Sequence, residues 1–145
     1  MAVKFSTGAR TKLLSDSSLA SMFADGTIKV YTGPVPASAD DAVSGTLLCT
    51  ISLNSTGTGI TFDPATDGVL PKAVAEVWSG VNVASGVARY FRHVAPGDTG
   101  GSSTAQPRIQ GTIGTVGDDM NFSSTNLTSG ATQTIDYYNV VMPTY

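Results

Sequence analysis

Apolar and polar residues alternate in short runs along this chain, and Gly, Pro, Asn or Asp residues bound each run. In the clearest run, residues 27–32, Ile28 and Val30 fall on one side, whereas Lys29 and Tyr31 fall on the other. This period of two is typical of a half-buried β-strand. Further runs of the same type cover residues 46–53, 60–62, 72–79, 86–94, 108–114, 120–122 and 132–142. Many short strands separated by turns predict a mainly β fold, either jelly-roll-like or a related antiparallel β-sandwich.

Helical spacing of apolar residues occurs only between Ala9 and Ala24. Leu13 and Met22 fit that spacing, and Gly26 stands where a helix would end. Serines within this segment weaken the helical preference. We therefore predict a single domain over residues 1–145, with an N-terminal arm and short helical segment over 1–26 and the β-sandwich over 27–145.

The chain carries few charges for its length. Charged residues make up 13%, the net charge is −3 and the pI is about 4.7, whereas about 25% charged residues is usual. A weakly charged surface rich in hydroxyl groups fits a protein that contacts other copies of itself or a larger assembly. Net acidity argues against a nucleic-acid partner. A small basic segment formed by Lys4, Arg10 and Lys12 is either a solvated helix face or an arm that docks on an acidic partner.

The single cysteine, Cys49, lies in an apolar run, where we expect a buried side chain. One cysteine cannot form a disulfide within the chain. No apolar leader follows Met1 and no apolar stretch reaches about 18 residues. These features lead us to expect folding in a reducing cytoplasm, without a membrane segment.

Reactive side chains are sparse in the sequence. His93 is the only histidine, no G-x-S-x-G motif is present, and one Cys with one His is too few for a zinc site. We therefore predict that the protein is not an enzyme and has no cofactor and no metal. Asp98, Asp118 and Asp119 remain candidate ligands for a hard cation, but turn-forming roles are favoured because their spacing does not match a calcium loop.

Arg89 and Arg92 flank two aromatic residues in a predicted strand, a pattern that occurs in proteins that bind single-stranded nucleic acid. They fall on opposite sides of the strand, so they do not form a groove. Neither side of this strand is purely apolar, which indicates that one side meets a partner. The glycine-rich stretch Gly97–Gly101 is expected to be a mobile hairpin tip.

Several segments resemble a family of small virion structural proteins of tailed bacteriophages. The resemblance covers most of the chain and lies in GARTKLL (8–14), TIKVYTGPVPASADDAVSGTLLCTISL (27–53), GVARYFRHV (86–94) and GTIGTVGDDMNFSSTNLTSGATQTIDYYNVVMP (111–143). The longer loop at residues 95–106 departs from the family pattern.

This resemblance implies a head decoration, or cement, protein that binds the outer capsid surface and stabilises the shell in the virion, after synthesis in the host bacterial cytoplasm. Its expected partners are the major capsid protein and itself, as a dimer or trimer. The hypothesis places capsid contacts in the N-terminal segment and the loop 33–45, at Lys4, Phe5, Arg10, Lys12, Pro34, Pro36, Asp40 and Asp41. It places self-association at Trp78, Tyr90 and Tyr138.

Two other functions remain open at this stage. One is a tail, collar or fibre-attachment component of the virion. The other is a carbohydrate-binding β-sandwich that adheres to host surfaces through an exposed aromatic platform at Trp78, or at Tyr137 and Tyr138 with Asp136.

Overall fold

A computed structural model describes residues 3–142 of the chain. The fold is mainly β, built from antiparallel sheets with a short helical segment near the N-terminus, which confirms the predicted fold class. The helices are α1 (Thr7–Ser15) and α2 (Leu19–Phe23). The strands are β1 (Lys4–Phe5), β2 (Thr27–Tyr31), β3 (Leu47–Leu53), β4 (Val69–Pro71), β5 (Trp78–Val81), β6 (Gly86–Val87), β7 (Tyr90–Val94), β8 (Arg108–Gly114), β9 (Met120–Asn121), β10 (Asn126–Leu127), β11 (Thr132–Ile135) and β12 (Asn139–Val141).

The predicted helical segment is divided into two helices, because serines form caps inside it. The Ser6 side chain accepts a hydrogen bond from the Ala9 backbone N–H and begins α1. Ser18 begins α2 through a reciprocal capping box with Ser21. A Ser N-cap satisfies backbone donors that have no partner within the helix, so it favours a new start over continuation of the first helix.

One large sheet organises the rest of the chain. Its strand order is β1-β8-β7-β2-β3-β5-β11, and β9 pairs with β8 as well. Two small sheets, β10-β6 and β12-β4, lie outside this order. All pairings between strands are antiparallel except that of β8 with β9. The finer prediction of a jelly roll or a related β-sandwich stays a prediction.

One face of the large sheet is apolar and carries the core. Opposite residues of neighbouring strands lie on the same face, and His93 of β7 lies opposite Ile28 of β2 and Ile109 of β8. Phe91 lies opposite Val30 and Gly111 on the same face. A Cβ atom at Gly111 would come within 2.6 Å of the Phe91 ring, so the glycine makes room for the aromatic side chain.

The other face of the same sheet is polar. Lys4, Gln110, Arg92 and Lys29 lie opposite one another across β1, β8, β7 and β2 and form a continuous row. Arg108 lies on this face two residues from Gln110, and Tyr31 stacks on Tyr90 with ring centroids 5.1 Å apart. Arg92, Arg108 and Gln110 are nevertheless buried, so segments of the same chain must cover them.

Four of the predicted strands differ from the observed ones. Residues 60–62 form no strand, and Ile60 and Phe62 make only isolated bridges, with Gly26 and Lys72. Residues 72–77 form no strand, since the carboxylates of Asp63 and Glu76 accept from the backbone N–H groups of Val74 and Thr61 and hold the segment in a turn. The run 86–94 is divided at Ala88–Arg89, where pairing changes from β10 to β2. The run 132–142 is divided at residues 136–138, and its second half pairs with β4.

No helix among residues 3–142 is both long and apolar enough to cross a membrane.

Candidate functional site

The loop 33–45 is fastened to the polar face of the sheet by its backbone carbonyl groups. Gln110 Nε2 donates to the Pro36 carbonyl at 2.8 Å, Lys4 Nζ donates to the Ala37 carbonyl at 2.7 Å, and Arg92 Nη2 donates to the Ser38 carbonyl at 3.3 Å. The next carbonyl, that of Ala39, accepts from Arg108 Nη1 at 3.1 Å. Four successive carbonyl groups thus have partners on the sheet, so the loop is held in one conformation.

Arg108 is the central residue of this arrangement. Its Nε and Nη2 atoms donate to the two carboxylate oxygens of Asp98 at 2.6 Å and 2.9 Å, and both side chains are buried. Nη2 also donates to the Gly101 carbonyl at 2.6 Å. Arg108 therefore joins the loop 33–45 to the loop 95–106. Burial by itself would raise the pKa of Asp98, but hydrogen bonds from Arg108 and Gly100 outweigh it and lower the pKa.

Asp98 was expected to lie in a mobile hairpin tip, with a turn-forming role favoured over cation binding. The structure corrects the first expectation, because the carboxylate is buried, accepts from the Arg108 guanidinium in a two-pronged geometry and also accepts from the Gly100 backbone N–H.

Arg92 lies on the next strand and has no carboxylate partner among the described residues. Its Nε donates to Gln110 Oε1 at 2.8 Å, whereas Nη1 has no hydrogen-bond partner within residues 3–142. Burial, followed by the repulsion of Arg108, lowers the pKa of Arg92 below its ordinary value. The polar face therefore contains two buried guanidinium groups for one buried carboxylate.

Helix α1 is attached to the same loop. The Asp40 carboxylate accepts from the Thr7 backbone N–H at 2.8 Å and from the Thr7 hydroxyl at 2.6 Å. An acidic group at a helix N-terminus also interacts favourably with the helix dipole. The hydrogen bond from the Thr7 side chain is the largest cause of the lowered pKa of Asp40.

Two further contacts hold the start of α1 in place. The buried Ser6 hydroxyl donates to the Gln106 carbonyl at 2.7 Å and accepts from the Arg108 backbone N–H at 2.9 Å. A Cβ atom at Gly8 would lie 2.3 Å from the Ala105 carbonyl oxygen, so only glycine permits this close approach of the helix to the loop 95–106.

The two segments predicted to contact the capsid thus form one continuous surface, which we call the loop–helix surface: the outer sides of β1, α1 and the loop 33–45. Of the predicted residues, Lys4, Arg10, Lys12, Pro34 and Asp41 are exposed. Phe5, Pro36 and Asp40 are half-buried, and Asp40 and Pro36 serve as attachment points of the loop. Residues 1–2, part of the predicted arm, lie outside the described residues.

The predicted self-association residues do not lie on the surface. Trp78 and Tyr90 are each 0% exposed, and Tyr138 is half-buried against the core. Trp78 donates from Nε1 to Glu76, and Tyr90 exchanges hydrogen bonds with the Ser44 backbone. The structure corrects this assignment, since Trp78 and Tyr138 pack in the chain's own core and Tyr90 is buried on the polar face, where it stacks on Tyr31. Self-association itself stays a prediction, as do its dimer and trimer forms.

His93 lies at the centre of an aromatic cluster. Its ring is within 6.2 Å of the ring centroids of Phe23, Phe62, Trp78 and Tyr138, and Nδ1 lies 3.1 Å from the Tyr138 hydroxyl. Burial lowers the pKa of His93 to about 3. The side chain is therefore neutral at physiological pH and out of reach of solvent.

The other candidate ligands have structural roles. Asp119 accepts from the Thr112 backbone N–H at 2.9 Å, and the Asp118 backbone N–H donates to the Asn121 side chain. Within residues 3–142, no three His, Cys, Asp or Glu side chains converge in a group that could hold a metal ion.

The sequence did not reveal the residues that hold the loop–helix surface in place, namely Ser6, Thr7, Arg108 and Gln110, nor this role of Asp98. Arg108 and Gln110 alternate with apolar residues in β8, a pattern that normally indicates solvent-facing positions. The one sequence feature that indicated their burial was the pair of long loops, 33–45 and 95–106, which are able to cover them.

Comparisons with models of protein families, with curated proteins and with solved structures found no match to this chain.

Proposed function

We propose that this protein is a virion structural protein of a tailed bacteriophage, and that it decorates the outside of the capsid shell as a cement protein. The proposal rests on the sequence resemblance described above. One structural observation supports it: the loop 33–45 and helix α1, distant in sequence, are joined by Asp40 and Thr7 into a single outer surface. The major capsid protein is the proposed partner of this surface.

The fastening of the loop favours adhesion. Ordering a flexible loop on binding opposes association, so a surface that is already ordered binds more tightly for the same contacts. The carbonyl groups of residues 36–39 already have partners on the sheet. The outer side chains of the loop, including Pro34 and Val35, are therefore presented in a defined arrangement. A protein that binds only the intact shell adds its binding free energy to shell stability.

Binding to undecorated shells tests the proposed surface. The variant Arg10→Gln/Lys12→Gln removes two exposed positive charges and changes the net charge from −3 to −5. Its matched control, Val116→Glu/Ser129→Glu, reaches the same net charge at exposed positions in loops away from α1. We expect the first variant to weaken binding by about threefold or more, from the usual magnitude of exposed ion pairs, and the control to bind as the unmodified protein does.

Complete deletion of residues 2–12 is a poorer test, because Ser6 and Thr7 belong to the folded structure. A further variant, Val35→Asp, changes an outer side chain of the loop. If Arg10→Gln/Lys12→Gln, Val35→Asp and the control all bound equally well, the proposed surface would be contradicted. The number of copies per purified particle separates the alternatives within the virion: hundreds of copies indicate shell decoration, whereas a few dozen or fewer indicate a tail or collar component.

A further inference from the structure

A groove runs between the two ends of the large sheet. It has a volume of about 550 Å³ and is lined by residues 119–123 around β9 and by residues 133–141 from β11 to β12. The strands β9 and β11 are the terminal strands of the path β9-β8-β7-β2-β3-β5-β11. The sheet therefore curls until its ends face each other across this groove, which we call the edge groove.

The groove follows the free edges of both strands. Consecutive residues of β11 line it, and no residue of the neighbouring strand β5 does. An opening over a sheet face would be lined by alternate residues, so this opening lies along the edge. Val3 beside β1, Phe91 of β7 and Ile109 of β8 add apolar side chains to its lining.

Strand β11 has unused hydrogen-bonding capacity on this side. It pairs only with β5 among the described residues, and in an antiparallel ladder about half of the N–H and C=O groups point away from a given neighbour. Residues 132–135 make no other backbone hydrogen bond within the described part of the chain.

β1 and β11, the two ends of the strand order, differ in how they are protected against pairing with other chains. Natural edge strands are usually short, charged or interrupted by proline, which prevents pairing with other chains. β1 has two residues and contains Lys4. β11 has four residues, Thr-Gln-Thr-Ile, with no charge and no proline. The β11 edge is thus suited to receive a further strand.

The chemistry at the rim of the edge groove indicates the charge of its occupant. Asp119 and Asp136 line the groove, and its lining within residues 3–142 includes no Lys or Arg. Tyr137, also in the lining, is 91% exposed. An exposed aromatic ring beside apolar lining residues is a feature of protein-binding surfaces.

We propose that the edge groove binds an extended, positively charged peptide segment of a partner protein, which adds as a strand along β11 between the two ends of the sheet. Main-chain hydrogen bonds to an exposed strand edge supply affinity in such complexes, and side-chain pockets supply specificity. The test uses the isolated chain, so the result is independent of where the protein sits in a virion.

The probes are short synthetic peptides of alternating Thr and Val that end in Lys at both termini, in Glu at both termini, or in Lys with Pro at alternate interior positions. Fluorescence anisotropy measures their binding, and amide hydrogen exchange locates it. We expect the Lys-ended peptide to bind most tightly and to slow exchange in residues 120–121 and 132–135. The Pro-containing peptide should not bind, since proline lacks the N–H group that a ladder requires.

Two exposed side chains at the rim allow the site to be tested without disturbing the core. Asp136→Lys and Tyr137→Ser should each weaken binding of the Lys-ended peptide by about threefold or more. The matched control Asp16→Lys reverses an exposed charge at the end of α1 and should leave binding unchanged.

Absence of binding by the Lys-ended peptide would overturn the proposal. So would equal binding of the Glu-ended peptide, or binding that leaves exchange in β9 and β11 unaltered. Slowed exchange of the same residues by a neutral oligosaccharide, with none by the peptides, would assign the groove to a glycan and would also overturn it.

Discussion

Arg108 and Arg92 lie on neighbouring strands of one buried sheet face, but of these two only Arg108 has a carboxylate partner in the described part of the chain. This difference predicts unequal costs for the same substitution. Removing one member of a buried ion pair costs about 3–5 kcal/mol, because the remaining charge is left unpaired. Arg108→Met leaves the buried Asp98 carboxylate without its positively charged partner, and it also removes the hydrogen bonds to the Ala39 and Gly101 carbonyls. We therefore expect the free energy of unfolding to fall by about 4 kcal/mol.

Arg92→Met should be much less harmful. It removes the hydrogen bond to Gln110, worth about 1 kcal/mol, and the longer one to the Ser38 carbonyl, but it also removes a buried guanidinium group whose Nη1 atom has no partner among the described residues. The net loss is expected to be about 1 kcal/mol or less.

For a chain of this size, the loss of about 4 kcal/mol expected for Arg108→Met corresponds to a Tm lowered by roughly 8–16 °C.

Urea unfolding followed by tryptophan fluorescence measures both variants, since the single tryptophan, Trp78, is 0% exposed in the folded chain. The double variant Arg108→Met/Asp98→Asn completes a thermodynamic cycle. Because the two side chains interact directly, we expect the double variant to lose at least about 2 kcal/mol less than the sum of the single losses. Equal costs for Arg108→Met and Arg92→Met, or additive costs in the cycle, would refute the assignment of Asp98 as the specific partner of Arg108.

The same substitution should loosen the loop 33–45 before the whole chain unfolds. The Val43 N–H donates to the Gly100 carbonyl and the Ser103 N–H donates to the Asp40 carbonyl, both at the junction that Arg108 holds. Faster amide exchange of Val43 and Ser103 in Arg108→Met, without faster exchange in β2 or β3, is the expected pattern. Uniform acceleration in all strands would mean that Arg108 supports the fold as a whole and not this junction.

Three other predictions concern single side chains. The folded-state pKa of His93 is about 3, below its ordinary 6.5, so the unfolded chain binds an extra proton below about pH 6.5 and the free energy of unfolding falls as the pH drops towards 3. At pH 5 the loss is about 2 kcal/mol. In His93→Leu, the free energy of unfolding measured in urea should therefore change much less between pH 7 and pH 5. Asp40→Ala should lower the Tm more than Asp40→Asn does, because Asn can still accept from Thr7; equal losses in calorimetry would contradict the helix contact. Cys49 is fully buried, and burial raises the pKa of its thiol to about 11, so a thiol reagent should label it only at the rate of unfolding; rapid labelling of the native protein would contradict its burial.

The sequence predicted the position of strands whose apolar residues alternate, although burial in β2 is less regular than this pattern, because Tyr31 is buried as well on the polar face, where it stacks on Tyr90. Ile28 and Val30 alternate with Lys29 and Tyr31, and β2 forms at residues 27–31 as expected. Cys49 is buried in β3 as predicted. These elements depend on apolar residues that face one core, so local pattern and tertiary packing agree.

The sequence was misleading where partners distant along the chain decide the structure. Residues 72–79 alternate as a strand does, but the Asp63 and Glu76 carboxylates hold part of this segment as a turn. The Ser6 hydroxyl contacts the backbone of Arg108, which is 102 residues away. No local period records such contacts, so nothing within β8 itself indicates that Arg108 and Gln110 lie buried beneath two loops.

The loop–helix surface and the edge groove should bind their partners in different ways. The loop–helix surface is ordered before it meets a partner, since Arg108, Gln110 and Lys4 already satisfy its carbonyl groups, and its contacts should form with little rearrangement. The edge groove instead has a strand edge that is free among the described residues, so its occupant must become ordered as it binds, which reduces affinity for a given area of contact. Arg108→Met, although the side chain is buried, should therefore weaken binding at the loop–helix surface by releasing the loop. The same substitution should leave peptide binding at β11 unchanged, because Arg108 does not line the edge groove.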